Sequence, residues 1–103
     1  IKNTAENLKA AIAGETFEYT EMYPEMMKTA QTEEDKNALR SFTYANEVEK
    51  IHAALYQKAV DNLDNLPEAD YYVCNVCGYT VENEAPDVCP VCSAKKQAFF
   101  KTD

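Results

Sequence analysis

Four cysteines in two Cys-x-x-Cys pairs, Cys74/Cys77 and Cys89/Cys92, with eleven residues between the pairs, constrain this chain more than any other feature. Two such pairs in a short, loop-rich segment have the spacing of a tetrahedral tetrathiolate metal site. Each pair makes a tight knuckle whose backbone N–H groups can point at sulfur. Gly78, directly after the first pair, permits the backbone angles such a knuckle needs, and Pro90 stiffens the second. Two disulfides are the weaker reading, because no secretory pattern is visible and adjacent knuckles do not make a natural cystine framework. Spacing alone leaves iron and zinc open, since both accept four thiolates. Tyr71, Tyr72, Tyr79, Phe99 and Phe100 surround the pairs in sequence and are read either as a small aromatic core that shields the metal or as packing alone.

Composition divides the 103 residues near Leu66. Residues 1–66 hold one glycine, one proline and no cysteine, whereas residues 67–103 hold all four cysteines, three of the four prolines and Gly78. Two small domains, 1–66 and 67–103, are therefore expected. Both are acidic within a net charge of −8, so the chain lacks the basic face that a nucleic-acid binder needs. No apolar run reaches membrane-spanning length and no signal pattern precedes the domains, which leads to the expectation of a cytoplasmic protein with no membrane partner. The start at Ile1 rather than Met suggests a piece of something longer.

Residues 1–66 predict an antiparallel helical hairpin. Asn3 with Glu6 forms a capping-box-like start, and Leu8, Ile12, Tyr19, Met22 and Met26 follow at helical spacing. Pro24 should kink this first helix or force a local irregularity. A turn is expected over Gln31–Lys36, with Thr32 and Asp35 offering the next cap. A second stripe, Phe42, Ala45, Tyr56, Ala59 and Leu63, runs on before Pro67. Tyr44, Val48, Ile51 and Leu55 lie on another face of that helix, so the hairpin calls for a further partner.

Carboxylates interrupt the stripes where core residues belong. Glu15 falls between Leu8 and Met22, with Glu18 one turn on; Glu49 falls between Phe42 and Tyr56, with His52 at i+3. Residues equidistant from a turn near position 33 or 34 face one another, which brings Glu15, Glu18, Glu49 and His52 to one height. Buried carboxylates gathered at one level need a cation between them. Glu21, Glu25 and Glu47 are read as solvated. Ferritin-like di-iron bundles use a Glu from each of two helices and Glu-x-x-His from each of the other two, so this chain carries half of such a set.

The segment AENLKAAIAGETFEYTEMYP (Ala5–Pro24), then Glu49-Lys-Ile-His52, Cys74-Asn-Val-Cys-Gly-Tyr79 and Ala85-Pro-Asp-Val-Cys-Pro-Val-Cys92, resembles the rubrerythrin family. The resemblance covers nearly the whole chain but only the C-terminal part of the usual family member. It implies a mostly α fold: a hairpin forming half of a ferritin-like four-helix bundle, plus a small β/loop rubredoxin-like domain. It also implies a di-iron centre, one iron at Cys74, Cys77, Cys89 and Cys92, and reduction of hydrogen peroxide to water. By the same resemblance Glu15 is a terminal carboxylate ligand and Glu18 the carboxylate that exchanges with a histidine. Glu49 is a bridging carboxylate, His52 a terminal imidazole ligand and Tyr23 a tyrosine beside the di-iron site. Ser93 departs from the glycine common at its position, with one N–H···S contact in question.

The remaining ligands are expected from a complementary hairpin, either the N-terminal half of the same protein, which the Ile1 start favours, or a second copy of this chain; the third alternative is that the fragment never binds two irons. A redox donor protein is a further implied partner. From His52 to Leu66 is roughly 21 Å of helix, so the chain's own cysteine site is expected near the bundle end, delivering electrons to another subunit. Two other classes of function stay open: a ferritin-like iron-oxidising or iron-handling protein, and a zinc-ribbon interaction module with an inert hairpin.

Overall fold

The computed structural model describes residues 1–66 and 68–102. Helix α1 (Thr4–Phe17) begins where Asn3 accepts the Glu6 N–H on its side-chain oxygen at 2.8 Å. Its register then widens into a π-helical segment, Glu18–Met22, before α2 (Tyr23–Thr32) resumes. Pro24 explains the position of the change. It has no N–H to give the preceding turn, and just before it the ladder shifts so that the Tyr23 N–H reaches the Glu18 carbonyl. The expected irregularity is thus a widened turn, with Pro24 in the first turn of α2.

After α2 the chain turns through Glu33 and Glu34, the latter left-handed with φ 56°, and the Asp35 N–H returns to the Ala30 carbonyl at 2.9 Å. This is the usual way of satisfying the last carbonyls of a helix. Asp35 alone caps the next helix, accepting the Ala38 N–H at 3.0 Å. The expected capping role of Thr32 is not realised: Thr32 stays inside α2, with its hydroxyl on the Lys28 carbonyl. Helix α3 (Lys36–Asp61) then runs back along α1 and α2.

A short 3-10 turn, Leu63–Asn65, follows α3. The remainder is a three-stranded antiparallel sheet in the order β2-β1-β3, with β1 Tyr71–Cys74, β2 Thr80–Glu82 and β3 Phe99–Lys101. Tyr72 pairs with Val81 on one side and Lys101 on the other. The aromatic core is partial: Tyr79 and Phe99 meet edge-on at 6.3 Å, but Phe100 is half exposed.

The sheet lies against α3, and this changes two expectations. Val48, only 2% exposed, packs beneath Gly78, so the chain's own small domain covers part of the helix face that seemed to need an outside partner. The cysteine-bearing hairpin is also not at the bundle end. The chain reverses after α3 through β1, and the antiparallel β2 then lies along the helix in the helix's own direction, with Gly78 and Thr80 at His52 and Glu82 at Lys58. Counting helical rise measured the outward path only. The Glu82 carboxylate accepts from Lys58 Nζ at 2.8 Å, and that bond and its charge hold the Lys58 ammonium above its usual range.

Candidate metal centres

The two knuckles are built alike. The Gly78 N–H bonds the Cys74 carbonyl at 2.8 Å, and the Ser93 N–H bonds the Cys89 carbonyl at 3.0 Å. Gly78 has φ 87° and Ser93 has φ 67°, so both adopt the left-handed turn. The serine departure therefore preserves the knuckle at the cost of strain. A non-glycine residue there costs about 1–2 kcal/mol, partly offset by the lower unfolded-state entropy it brings. Ser93→Gly should stabilise the domain by about 0.5–1 kcal/mol, and Gly78→Ala should destabilise it by a similar or larger amount. Crowding adds little in the second case, because a Cβ at Gly78 would meet Val48 at an ordinary 3.6 Å. Opposite shifts in the thermal midpoint of the metal-loaded domain test this, and a stabilising Gly78→Ala refutes it.

The four Sγ atoms lie within 4.8 Å of one another, with Cys74–Cys92 at 3.7 Å and Cys77–Cys89 at 3.6 Å. A disulfide needs about 2.05 Å. A tetrahedron with metal–sulfur bonds of about 2.3 Å has edges of about 3.8 Å. The donor set therefore fits a tetrathiolate metal. Cys74 and Cys89 are 1% exposed. Burial pushes the Cys77 thiol well above its usual range and raises Cys92 as well. At Cys74 burial acts in the same direction, but backbone N–H groups of Cys77 and Val76, with the neighbouring thiols, more than offset it and lower the value. Metal binding must therefore expel protons, and the site loosens as pH falls.

On the hairpin, Glu15, Glu49 and His52 converge. His52 Nδ1 lies 3.5 Å from Glu15 Oε1 and 3.5 Å from Glu49 Oε2. The side chains are 15%, 16% and 26% exposed respectively, so they sit in the helical interface. Glu15 Oε2 is buried without a hydrogen-bond partner among the described residues. An unpartnered buried carboxylate oxygen beside a second carboxylate and an imidazole fits a divalent cation. Glu18 is not part of this convergence; it opens the π-helical segment one turn on. Tyr23 packs its ring on Phe42, at 6.3 Å between centroids, two turns before Glu49 on α3.

Sequence reasoning missed the far side of His52. Its Nε2 lies 3.0 Å from the Gly78 carbonyl and 3.3 Å from Thr80 Oγ1. No spacing rule could have found partners 26 and 28 residues away on another element.

The fold and the two sites define a helical hairpin with a carboxylate–imidazole cluster, joined to a tetrathiolate knuckle domain. The family model described as rubrerythrin matches residues 1–60, and that for the rubrerythrin rubredoxin-like domain matches residues 72–100. Rubrerythrin-2 of Clostridium acetobutylicum is 43% identical over 100 residues, covering 94% of this chain and 54% of that protein. Nigerythrin of Nitratidesulfovibrio vulgaris is 33% identical over 93 residues, covering 90% of this chain and 46% of that protein. A solved structure of fully reduced, all-ferrous nigerythrin superposes with a TM-score of 0.91 at 31% identity, covering 98% of this chain and 50% of the other. The chain belongs to the rubrerythrin family, whose members are generally oxidoreductases, and its four-cysteine site is consistent with a non-haem iron protein. It spans about half the length of the curated relatives it matches. Among the described residues, no helix is long and apolar enough to cross a membrane.

Proposed function

We propose that this chain is the electron-relaying half of a rubrerythrin-type peroxidase, reducing hydrogen peroxide to water once a complementary helical hairpin covers the Glu15–Glu49–His52 face. The observation that carries the reading is the position of His52. One imidazole touches both candidate centres, with Nδ1 toward Glu15 and Glu49 and Nε2 on the carbonyl of the residue after Cys77. Neither an inert hairpin nor an iron store needs that bridge.

With iron bound, the carboxylate–imidazole site supplies two electrons to peroxide and the four-cysteine site returns them singly from a redox donor protein. The chain's residues set the conditions for this. A backbone carbonyl only accepts, so His52 Nε2 carries the hydrogen and Nδ1 presents its lone pair to the cluster. Glu15 and Glu49 supply the negative charge that holds cations in an interface otherwise hostile to them. Glu18 opens the widened turn, a backbone feature often found at functional sites, and we assign it the exchanging-ligand role. Tyr23 is assigned a place beside the completed site.

The partner reading rests on an open groove of about 710 Å³ beside the hairpin seam, lined by the apolar Phe17, Met22, Met26, Ala30, Ala38 and Phe42 together with Glu21, Glu25, Thr29, Glu33 and Asp35. Met26 and Tyr56, expected in the seam, are part-exposed, with no cover among the described residues. The hairpin that fills the groove is assigned to the rest of a relative-sized protein, since the relatives have about as much sequence again.

The test is anaerobic reconstitution of the assembled protein with ferrous iron, followed by peroxide or dioxygen. Rapid stoichiometric peroxide consumption, sustained by an external reductant, is expected. Dioxygen-driven iron uptake with little peroxide consumption would establish the iron-handling class, and a colourless protein holding one zinc per chain the interaction module.

A further inference from the structure

Thr80 and Glu82 alternate onto the face of β2 that meets α3. Glu82 takes Lys58; Thr80 takes His52. At Thr80 three polar atoms close a triangle: His52 Nε2 to the Gly78 carbonyl at 3.0 Å, Thr80 Oγ1 to the same carbonyl at 3.1 Å, and Thr80 Oγ1 to Nε2 at 3.3 Å. The carbonyl receives both hydrogens, from the imidazole and from the hydroxyl. The Nε2–H is shared with the hydroxyl oxygen.

That carbonyl belongs to a peptide unit whose other end matters equally. Its N–H is that of Tyr79, which donates to Cys77 Sγ at 3.4 Å. Peptide units are rigid planes, so a tilt that moves the oxygen off His52 also moves the hydrogen relative to the sulfur. The left-handed φ of 87° at Gly78 leaves this plane without a Cβ to brace it.

We propose that Thr80 is a positioning residue that locks the Gly78–Tyr79 peptide plane between the two metal centres, holding its C=O on His52 and its N–H on Cys77. The proposal rests on the assignment of His52 and the cysteines as metal ligands. Hydrogen bonds to a cysteine sulfur tune a thiolate-bound iron's potential, and the partner of a ligand histidine's free nitrogen supports metal affinity.

The experiment compares Thr80→Val, which keeps shape, with Thr80→Ser, which keeps the hydroxyl, in the assembled protein carrying iron at the cysteines. The visible absorption of that iron verifies the fold, and Thr80→Ala replaces the valine variant if the absorption is lost. Two quantities are read: the reduction potential of the cysteine-bound iron, and the calorimetric affinity of the hairpin site for Mn²⁺, a metal too weakly bound by thiolates to displace that iron. Thr80→Val should lower the potential and weaken Mn²⁺ binding roughly tenfold, with Thr80→Ser restoring both. A valine variant with unchanged potential overturns the proposal, as does a serine variant that fails to rescue. If the unsubstituted protein binds no Mn²⁺ at the hairpin, the assignment of Glu15, Glu49 and His52 falls instead, and the potentials still decide the role of Thr80.

Discussion

Cys74→Ser is expected to abolish reductant-driven peroxide turnover while sparing a single stoichiometric oxidation by peroxide. Cys74 is 1% exposed at the end of β1, and backbone N–H groups of Val76 and Cys77 favour its thiolate. A serine oxygen in that position is a harder, poorly matched ligand for a thiolate-selective site. Four-ligand structural sites have apparent binding energies of about 10–16 kcal/mol, so loss of one ligand removes about 3 kcal/mol, or about a hundredfold in affinity. The hairpin cluster contains no atom of Cys74, which is why one round of oxidation survives. Stopped-flow oxidation beside steady-state assay separates the two, and unimpaired steady-state turnover would sink the relay.

The second large effect concerns stability. With iron already at the four cysteines, Glu15→Leu should make the protein with an empty hairpin site more stable and remove its stabilisation by Mn²⁺ added to that site. Glu15 occupies a core position between Leu8 and Met22, and its Oε2 is buried with no hydrogen bond among the described residues. Replacing buried charged groups with well-packed apolar ones is often stabilising by about 1–4 kcal/mol. In a domain of this size each kcal/mol moves the melting temperature by about 4–8 °C. The unsubstituted protein should gain about 2.7 kcal/mol when Mn²⁺ reaches a hundredfold its dissociation constant at the hairpin, and the variant almost nothing. Melting curves with and without Mn²⁺ decide it. A variant that melts lower without Mn²⁺, or that keeps the full Mn²⁺ response, contradicts the cation reading of this cluster.

Local chemistry made much of this molecule legible in advance. The spacing Cys74-x-x-Cys77 and Cys89-x-x-Cys92 needs only the turn chemistry of a knuckle, and the sulfurs do gather at tetrahedral distances. Asn3 caps α1 and Asp35 caps α3 because a side-chain oxygen can reach an N–H three residues on, whatever the rest of the fold does. The common height of Glu15, Glu49 and His52 follows from helical rise on either side of one turn. Thr32 was misplaced as a cap because capping competes with helix extension. Here the left-handed Glu34 closes α2 one residue before Asp35 and settles that competition.

Local patterning set the helices, the caps at Asn3 and Asp35, and the knuckles, each of which depends on neighbours within a turn or two, and helical rise about one turn set the level of the acidic cluster. Tertiary packing alone set how β1 turns the chain back and lays β2 along α3, burying Val48 and bringing Gly78 and Thr80 to His52. The reason is physical. The direction in which the small domain returns is set by packing and hydrogen bonds between surfaces 26 and 28 residues apart, and no periodicity within either segment records that choice.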